Sequence, residues 1–190
     1  MQTIQHPLTR TFLDSVLEQL DPDKSYGYWG TNRFQTILDD ETNPTWRADV
    51  MLRPDEDHDV MDDGDWYGEL APVTYRHREY GDARPRHFDG RARKISFHRS
   101  CDTYWWQPPA DVTDLDELRR CLVNLMENGY NVVILALKQK CSCCDNWDEV
   151  AYTSVGAVDL VNGDTADTFK EVVHALIETA LYDMGLGGTL

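Results

Sequence analysis

Asn131 to Lys138, NVVILALK, sets six consecutive apolar side chains between two polar ends. Its apolar residues occupy both parities and include three β-branched side chains, and it is shorter than a self-sufficient helix. The run therefore predicts a strand at a central position with both faces covered. On its N-terminal side, Thr113 or Asp114 caps a helix that carries Leu115, Leu118, Leu122, Leu125 and Met126, and Gly129 ends it. Further upstream, Ala92 to Arg99 places Ile95 and Phe97 on one face and predicts another strand.

After the central run comes a Cys-rich loop, and Glu149 to Val161 returns as a long strand. Asp164 or Thr165 then opens a helix with Phe169, Val172, Val173, Leu176, Ile177, Ala180, Leu181 and Met184 inward, closed by Gly185. Strand, helix, strand, strand, helix implies an α+β fold, a mixed β-sheet with helices packed on it. Toward the N-terminus, Leu8, Phe12, Leu13, Val16, Leu17 and Leu20 repeat at helical spacing before Pro22. Tyr26 to about Tyr80 breaks into short alternating runs such as Trp46, Ala48, Val50 and Leu52, separated by turn residues. With 190 residues and 41% apolar composition, the expectation is a single domain over 1–190. Its first part, 1–91, holds a helix, irregular strands and an acidic loop, and 92–190 is a βαββα portion.

No apolar run approaches the roughly 20 residues that span a bilayer, and the start, MQTIQHPLTRTFLD, lacks the apolar core of a signal peptide. A cytoplasmic protein with reduced thiols and no membrane partner is expected. The formal charge is −16, unevenly spread. Met1 to Tyr75 holds five basic and sixteen acidic side chains and Ser100 to Leu190 five and fifteen, while Arg76 to Arg99 holds eight against three. Such a field repels nucleic acid and anionic membrane at long range and attracts proteins with basic working surfaces.

Four constellations are candidates for function. The stretch PDEDHDVMDDGD offers Asp55, Glu56, Asp57, Asp59, Asp62, Asp63 and Asp65 in one exposed loop. It fails as an EF-hand, because Gly64 at the obligatory glycine puts Met61 and Leu70 where carboxylates belong. Its carboxylates instead suit a basic partner. Cys141, Cys143 and Cys144 form CSCC, and if Ala92–Arg99 and Asn131–Lys138 are parallel neighbours, Cys101 and His98 join them at one sheet edge. Zinc wants four such ligands at paired spacing, and adjacent Cys143 and Cys144 are expected to splay, which favours ordinary reduced thiols and no cofactor. Cys121 reads as core filler in its helix.

The stripe Arg76, Arg78, Arg84, Arg86, Arg91, Arg93, Lys94 and Arg99 resembles a nucleic-acid surface in isolation, but internal pairing with the acidic segments is the favoured reading. Last, Tyr26, Tyr28 and Trp29 in SYGYWG, and Tyr104, Trp105 and Trp106 in YWWQPP, sit in Gly- and Pro-flanked segments that read as loops. Trp105 and Trp106 are the expected protein-binding anchors if exposed. No nucleophile elbow, phosphate loop or dinucleotide fingerprint accompanies any of these.

The tract from FHR at Phe97 through YWWQPP, the capped helix, VVILAL, VGAV and the final helix ending ALYDMG resembles small accessory proteins encoded by tailed phages of actinobacteria. The resemblance covers about the last hundred residues and rests on element order and short patches. It implies an early protein acting on host machinery. The sequence thus leads to a non-enzymatic acidic protein that binds a host protein with a basic nucleic-acid-binding surface, such as a CRISPR effector or restriction complex, by nucleic-acid mimicry. Two alternatives stand beside it: a nucleic-acid-binding module using the Arg76 to Arg99 stripe, and a small zinc or thiol enzyme at the Cys loop.

Overall fold

The computed structural model describes Leu8 and residues 10–20, 27–29, 32–58, 67–73, 83–98 and 100–186. The elements among these residues, in chain order, begin with α1 (Arg10–Gln19), β1 (Gly27–Trp29), β2 (Asn32–Leu38) and β3 (Trp46–Pro54). There follow β4 (Glu69–Pro72), β5 (Arg93–Ser96), β6 (Thr103–Gln107) and α2 (Leu115–Asn128). The chain closes with β7 (Asn131–Lys140), β8 (Trp147–Val158) and α3 (Thr165–Asp183). The class is α+β, as the alternation of patterns implies, and contacts divide the chain into two compact units. One comprises Met1–Asp55 with Asn131–Leu190; the other, Glu56–Tyr130, is inserted between β3 and β7. These boundaries fall at 55/56 and 130/131, where the sequence reading divided one domain at 91/92.

The first unit is built on a five-stranded antiparallel sheet in the order β1-β2-β3-β7-β8. Its interior follows from the period of two in β3, where Trp46, Ala48, Val50 and Leu52 are buried and the residues between them are not. Across the ladder Ala48 faces Leu137, Val50 faces Leu135 and Leu52 faces Val133, so β7 adds its own alternate residues to the same face. The helices α1, through Phe12, Leu13 and Val16 with Leu20 just after it, and α3, through Phe169, Val173, Leu176, Ile177, Ala180 and Leu181, close this core. The Asp164 carboxylate caps α3 by accepting from the Asp167 N–H. At its other end, Gly185 at φ 75° lets the Leu186 N–H reach the Leu181 carbonyl at 2.8 Å. On β7, Val132, Ile134 and Ala136 are buried as well, which is why the run lacks alternation.

The second unit is a three-stranded antiparallel sheet, β4-β6-β5, packed on α2. Ile95, Phe97, Trp106 and Leu122 form its core, and Asp114 caps α2 by accepting from the Glu117 N–H. Two expectations are corrected here. Tyr104, Trp105 and Trp106 lie in the central strand rather than a loop, because Thr, Tyr and Trp all favour a pleated, half-buried surface. The parallel crossover from 92–99 to 131–138 is not formed: β5 turns directly into β6 as a hairpin, with the Phe97 N–H donating to the Asp102 carbonyl at 3.0 Å. Cys101, at φ 58°, tops that hairpin turn.

Candidate functional site

In the first unit β8 ends the sheet, and no strand lies beyond it among the described residues. From Ala151 to Val155 its register against Leu137 to Val133 is unbroken. Bulges flank that regular stretch, one passing over Val150 and the other beyond Val155. The second is built around Asp55, whose Oδ2 accepts the Ala157 N–H at 2.7 Å while Ala157 stands at φ 54°. A Cβ added to Gly156 would meet the same oxygen at 2.7 Å, so glycine is what lets the carboxylate approach. One oxygen of Asp55, a member of the expected phosphate-like set, is thus engaged in holding the edge strand.

The outer strand carries an unusual side-chain set. Val150, Tyr152 and Val155 are exposed at 37%, 56% and 40%, and with Tyr182 on α3 they are the large exposed hydrophobics among the described residues. Asp148, Glu149 and Ser154 are exposed between and beside them. An edge strand presents outward N–H and C=O groups on alternate residues, a template for another chain. Apolar and aromatic anchors flanked by carboxylates add selectivity to that template.

Behind this edge lies a charge network that orders the neighbouring strands. On β3, Asp49 is nearly buried and accepts from Thr36 Oγ1 at 2.8 Å and Arg47 Nε at 2.6 Å. Lys138 Nζ, on β7, reaches its other oxygen at 2.8 Å. Burial alone would raise the Asp49 carboxyl, but these donors, Arg47 foremost, outweigh it and hold the group below the usual carboxylate range. The Arg47 guanidinium also lies 5.9 Å from the Trp147 ring centre at the start of β8.

The turn between β7 and β8 brings three thiols together. Cys141 N–H donates to the Asn146 carbonyl at 2.9 Å and closes it, and Lys140 N–H donates to Thr45 O at 2.9 Å, tying it to the β2–β3 turn. The sulfurs of Cys141, Cys143 and Cys144 all lie within 4.8 Å of one another, and Cys141 and Cys143 Sγ are 2.8 Å apart. The expected splay of the adjacent Cys143 and Cys144 is thus corrected, since the tight turn folds both side chains back on Cys141. Hydrogen bonds from the Cys143 thiol and backbone pull the Cys141 thiol below its ordinary value, and donating to it raises Cys143. Cys101 and His98 sit on the β5–β6 turn of the second unit, and the strand pairing with β7 that was expected to bring them to the same sheet edge is not formed. Cys121 is half-buried on α2 with its Sγ 3.6 Å from Glu117 Oε1.

The remaining sequence candidates fall elsewhere. Glu56 and Asp57 are exposed, while Asp59, Asp62, Asp63 and Asp65 lie outside the described residues. Trp106 is 1% exposed and its indole N–H donates to Tyr67 O at 2.6 Å, so it is core rather than a surface anchor. Trp105 is half-buried under Lys94, whose Nζ sits 5.4 Å from the ring. In the basic stripe Arg91 donates to the carbonyls of Pro108, Pro109, Ala110 and Val112. Arg84 donates to Asp89 O at 2.5 Å. Backbone carbonyls and an aromatic ring thus occupy side chains expected to pair with acidic segments, and the Arg91–Asp89 ion pair at 3.6 Å lies within the stripe itself. Arg86 and Arg93 are exposed, and Arg76, Arg78 and Arg99 lie outside the described residues.

Sequence reasoning placed Glu149 to Val161 as a strand but missed its position at the sheet's edge, and with it Asp148, Val150, Tyr152 and Val155. Their signal was present as polar and apolar residues in no strict alternation, the mark of a strand that is not covered on a regular face. The chain matches no protein-family model, no curated protein and no solved structure. No helix among the described residues is long and apolar enough to cross a membrane.

Proposed function

We propose that this chain is a non-enzymatic acidic binding protein that docks on, and inhibits, a host protein bearing a basic nucleic-acid-handling surface. The observation that carries the reading is β8, the last strand of the sheet, which carries exposed Tyr152 and Val155 on its regular stretch and exposed Asp148, Glu149 and Val150 at and before the bulge that precedes it. A net charge of −16 adds long-range attraction toward a basic partner and repulsion from nucleic acid. Edge pairing supplies affinity through the main chain, the aromatic anchor supplies specificity, and the carboxylates speed encounter. The resemblance of the C-terminal tract to phage accessory proteins favours a counter-defence target, a CRISPR effector or restriction complex, in which carboxylates take the place of phosphates.

The test is capture of purified effector and restriction complexes from an actinobacterial host on the immobilised chain, with Tyr152→Ala and Asp148→Lys/Glu149→Lys variants alongside. Capture that competing DNA displaces, and that both variants weaken, supports the reading. Full capture by folded variants, or capture indifferent to DNA, refutes it. Because Tyr152, Asp148 and Glu149 are exposed, their replacement leaves the core intact.

A further inference from the structure

The three thiols of the β7–β8 turn have no part in that binding surface, and their arrangement has a chemistry of its own. Their sulfurs converge to within 4.8 Å, the reach of ligands around one ion. The main chain is arranged around sulfur as well. The Cys143 N–H points at Cys141 Sγ at 3.5 Å. Backbone donors aimed at a sulfur stabilise its thiolate form, the form that ligates metal. The turn opens onto a surface depression bordered by Asn43, Pro44 and Thr45, so an ion has a route in. Lys140, which borders the same depression 3.6 Å from Asp145, places a positive charge beside a site that would carry excess negative charge.

We propose that Cys141, Cys143 and Cys144 form a binding site for one thiophilic d10 metal ion, Zn(II) or Cu(I), held as a tris-thiolate. Three soft sulfur donors select such ions over hard cations. Cu(I) is satisfied by three thiolates. Zn(II) completes a tetrahedron with water as the fourth ligand. On binding, the thiol protons pass to solvent, so uptake releases acid and strengthens as pH rises. Cys101, on the β5–β6 turn, and Cys121, on α2, are not ligands.

The test uses the full chain, stripped of metal, with all five thiols confirmed reduced by intact mass. It is titrated with Zn(II) against a chromophoric chelator, and separately with Cu(I) under argon against a Cu(I)-specific chelator. Co(II) substitution reads thiolate ligation through its sulfur-to-metal charge-transfer absorption. The expected result is about one ion per chain for the preferred metal. Cys141→Ser, Cys143→Ser and Cys144→Ser should each weaken binding by more than about 100-fold, beyond the effect of losing an outer-shell partner. Cys101→Ser and Cys121→Ser should leave the affinity unchanged. Because these are turn residues at the surface, circular dichroism of the Ser variants should match the parent. Absence of stoichiometric binding by the reduced chain, or equal binding by the Cys141→Ser/Cys143→Ser/Cys144→Ser variant, overturns the proposal. Neither result bears on β8 recognition, which the capture assay reads separately.

Discussion

Replacing Asp49 by Ala tests whether the charge network beneath the β8 edge orders the sheet. The side chain is 12% exposed and receives one hydroxyl and two cationic donors, while Arg47 and Lys138, on adjacent strands, are 28% and 26% exposed. Removing the carboxylate leaves two positive groups side by side, half-desolvated, with their common partner gone. A fully buried pair broken this way costs about 3–5 kcal/mol. Here the cations retain access to water, and each lost charged hydrogen bond contributes about 1.5–3 kcal/mol before rehydration. A destabilisation of about 2–3 kcal/mol follows at pH 7. Asp49→Asn keeps the shape and the Thr36 contact and should lose about half as much. Urea unfolding followed by circular dichroism, with the m-value checked for constancy, reads both. Lys138→Met should reduce the cost of Asp49→Ala, because one of the stranded charges is then absent. The pH dependence has a definite sign: the folded carboxyl lies below its unfolded value of about 3.9, so its contribution is complete above that pH. It is lost as pH falls through the depressed folded value, and Asp49→Ala should flatten that acid limb. An Asp49→Ala protein within about 0.5 kcal/mol of the parent, with an unchanged acid limb, would refute the reasoning.

Two further outcomes are expected. Gly156→Ala drives a Cβ against Asp55 Oδ2 and should break the Ala157 N–H bond at a cost of about 1–3 kcal/mol in urea unfolding, a cost that disappears in an Asp55→Ala background. In gel-shift titrations at low salt the purified chain should retain neither DNA nor RNA at micromolar concentration; a salt-sensitive shift would instead favour the Arg76 to Arg99 stripe as a phosphate-binding surface.

The sequence by itself determined the elements whose periodicity is strong. NVVILALK announces a covered strand because every side chain from Val132 to Leu137 is apolar, and the helices of 115–128 and 165–183 announce themselves by apolar spacing, Asp caps and closing glycines. These are local properties, fixed by what a few neighbouring residues can do. Strand pairing is different, because it depends on which distant segment offers a complementary edge. The pattern of β5 is compatible with either a parallel crossover or a hairpin, and the aromatic run after it decides for the hairpin only once Trp106 is packed against α2 and Tyr67. That same decision places Cys101 on the β5–β6 turn instead of at the end of a strand paired with β7. Likewise, nothing in WDEVAYTSV says whether its outer side meets another strand or solvent. Only the order β1-β2-β3-β7-β8 leaves Tyr152 on the last strand of the sheet among the described residues, and only closure of the turn before it folds Cys143 and Cys144 back onto Cys141. Burial and periodicity are written residue by residue, whereas edges and convergent side chains exist only after the chain has chosen its partners.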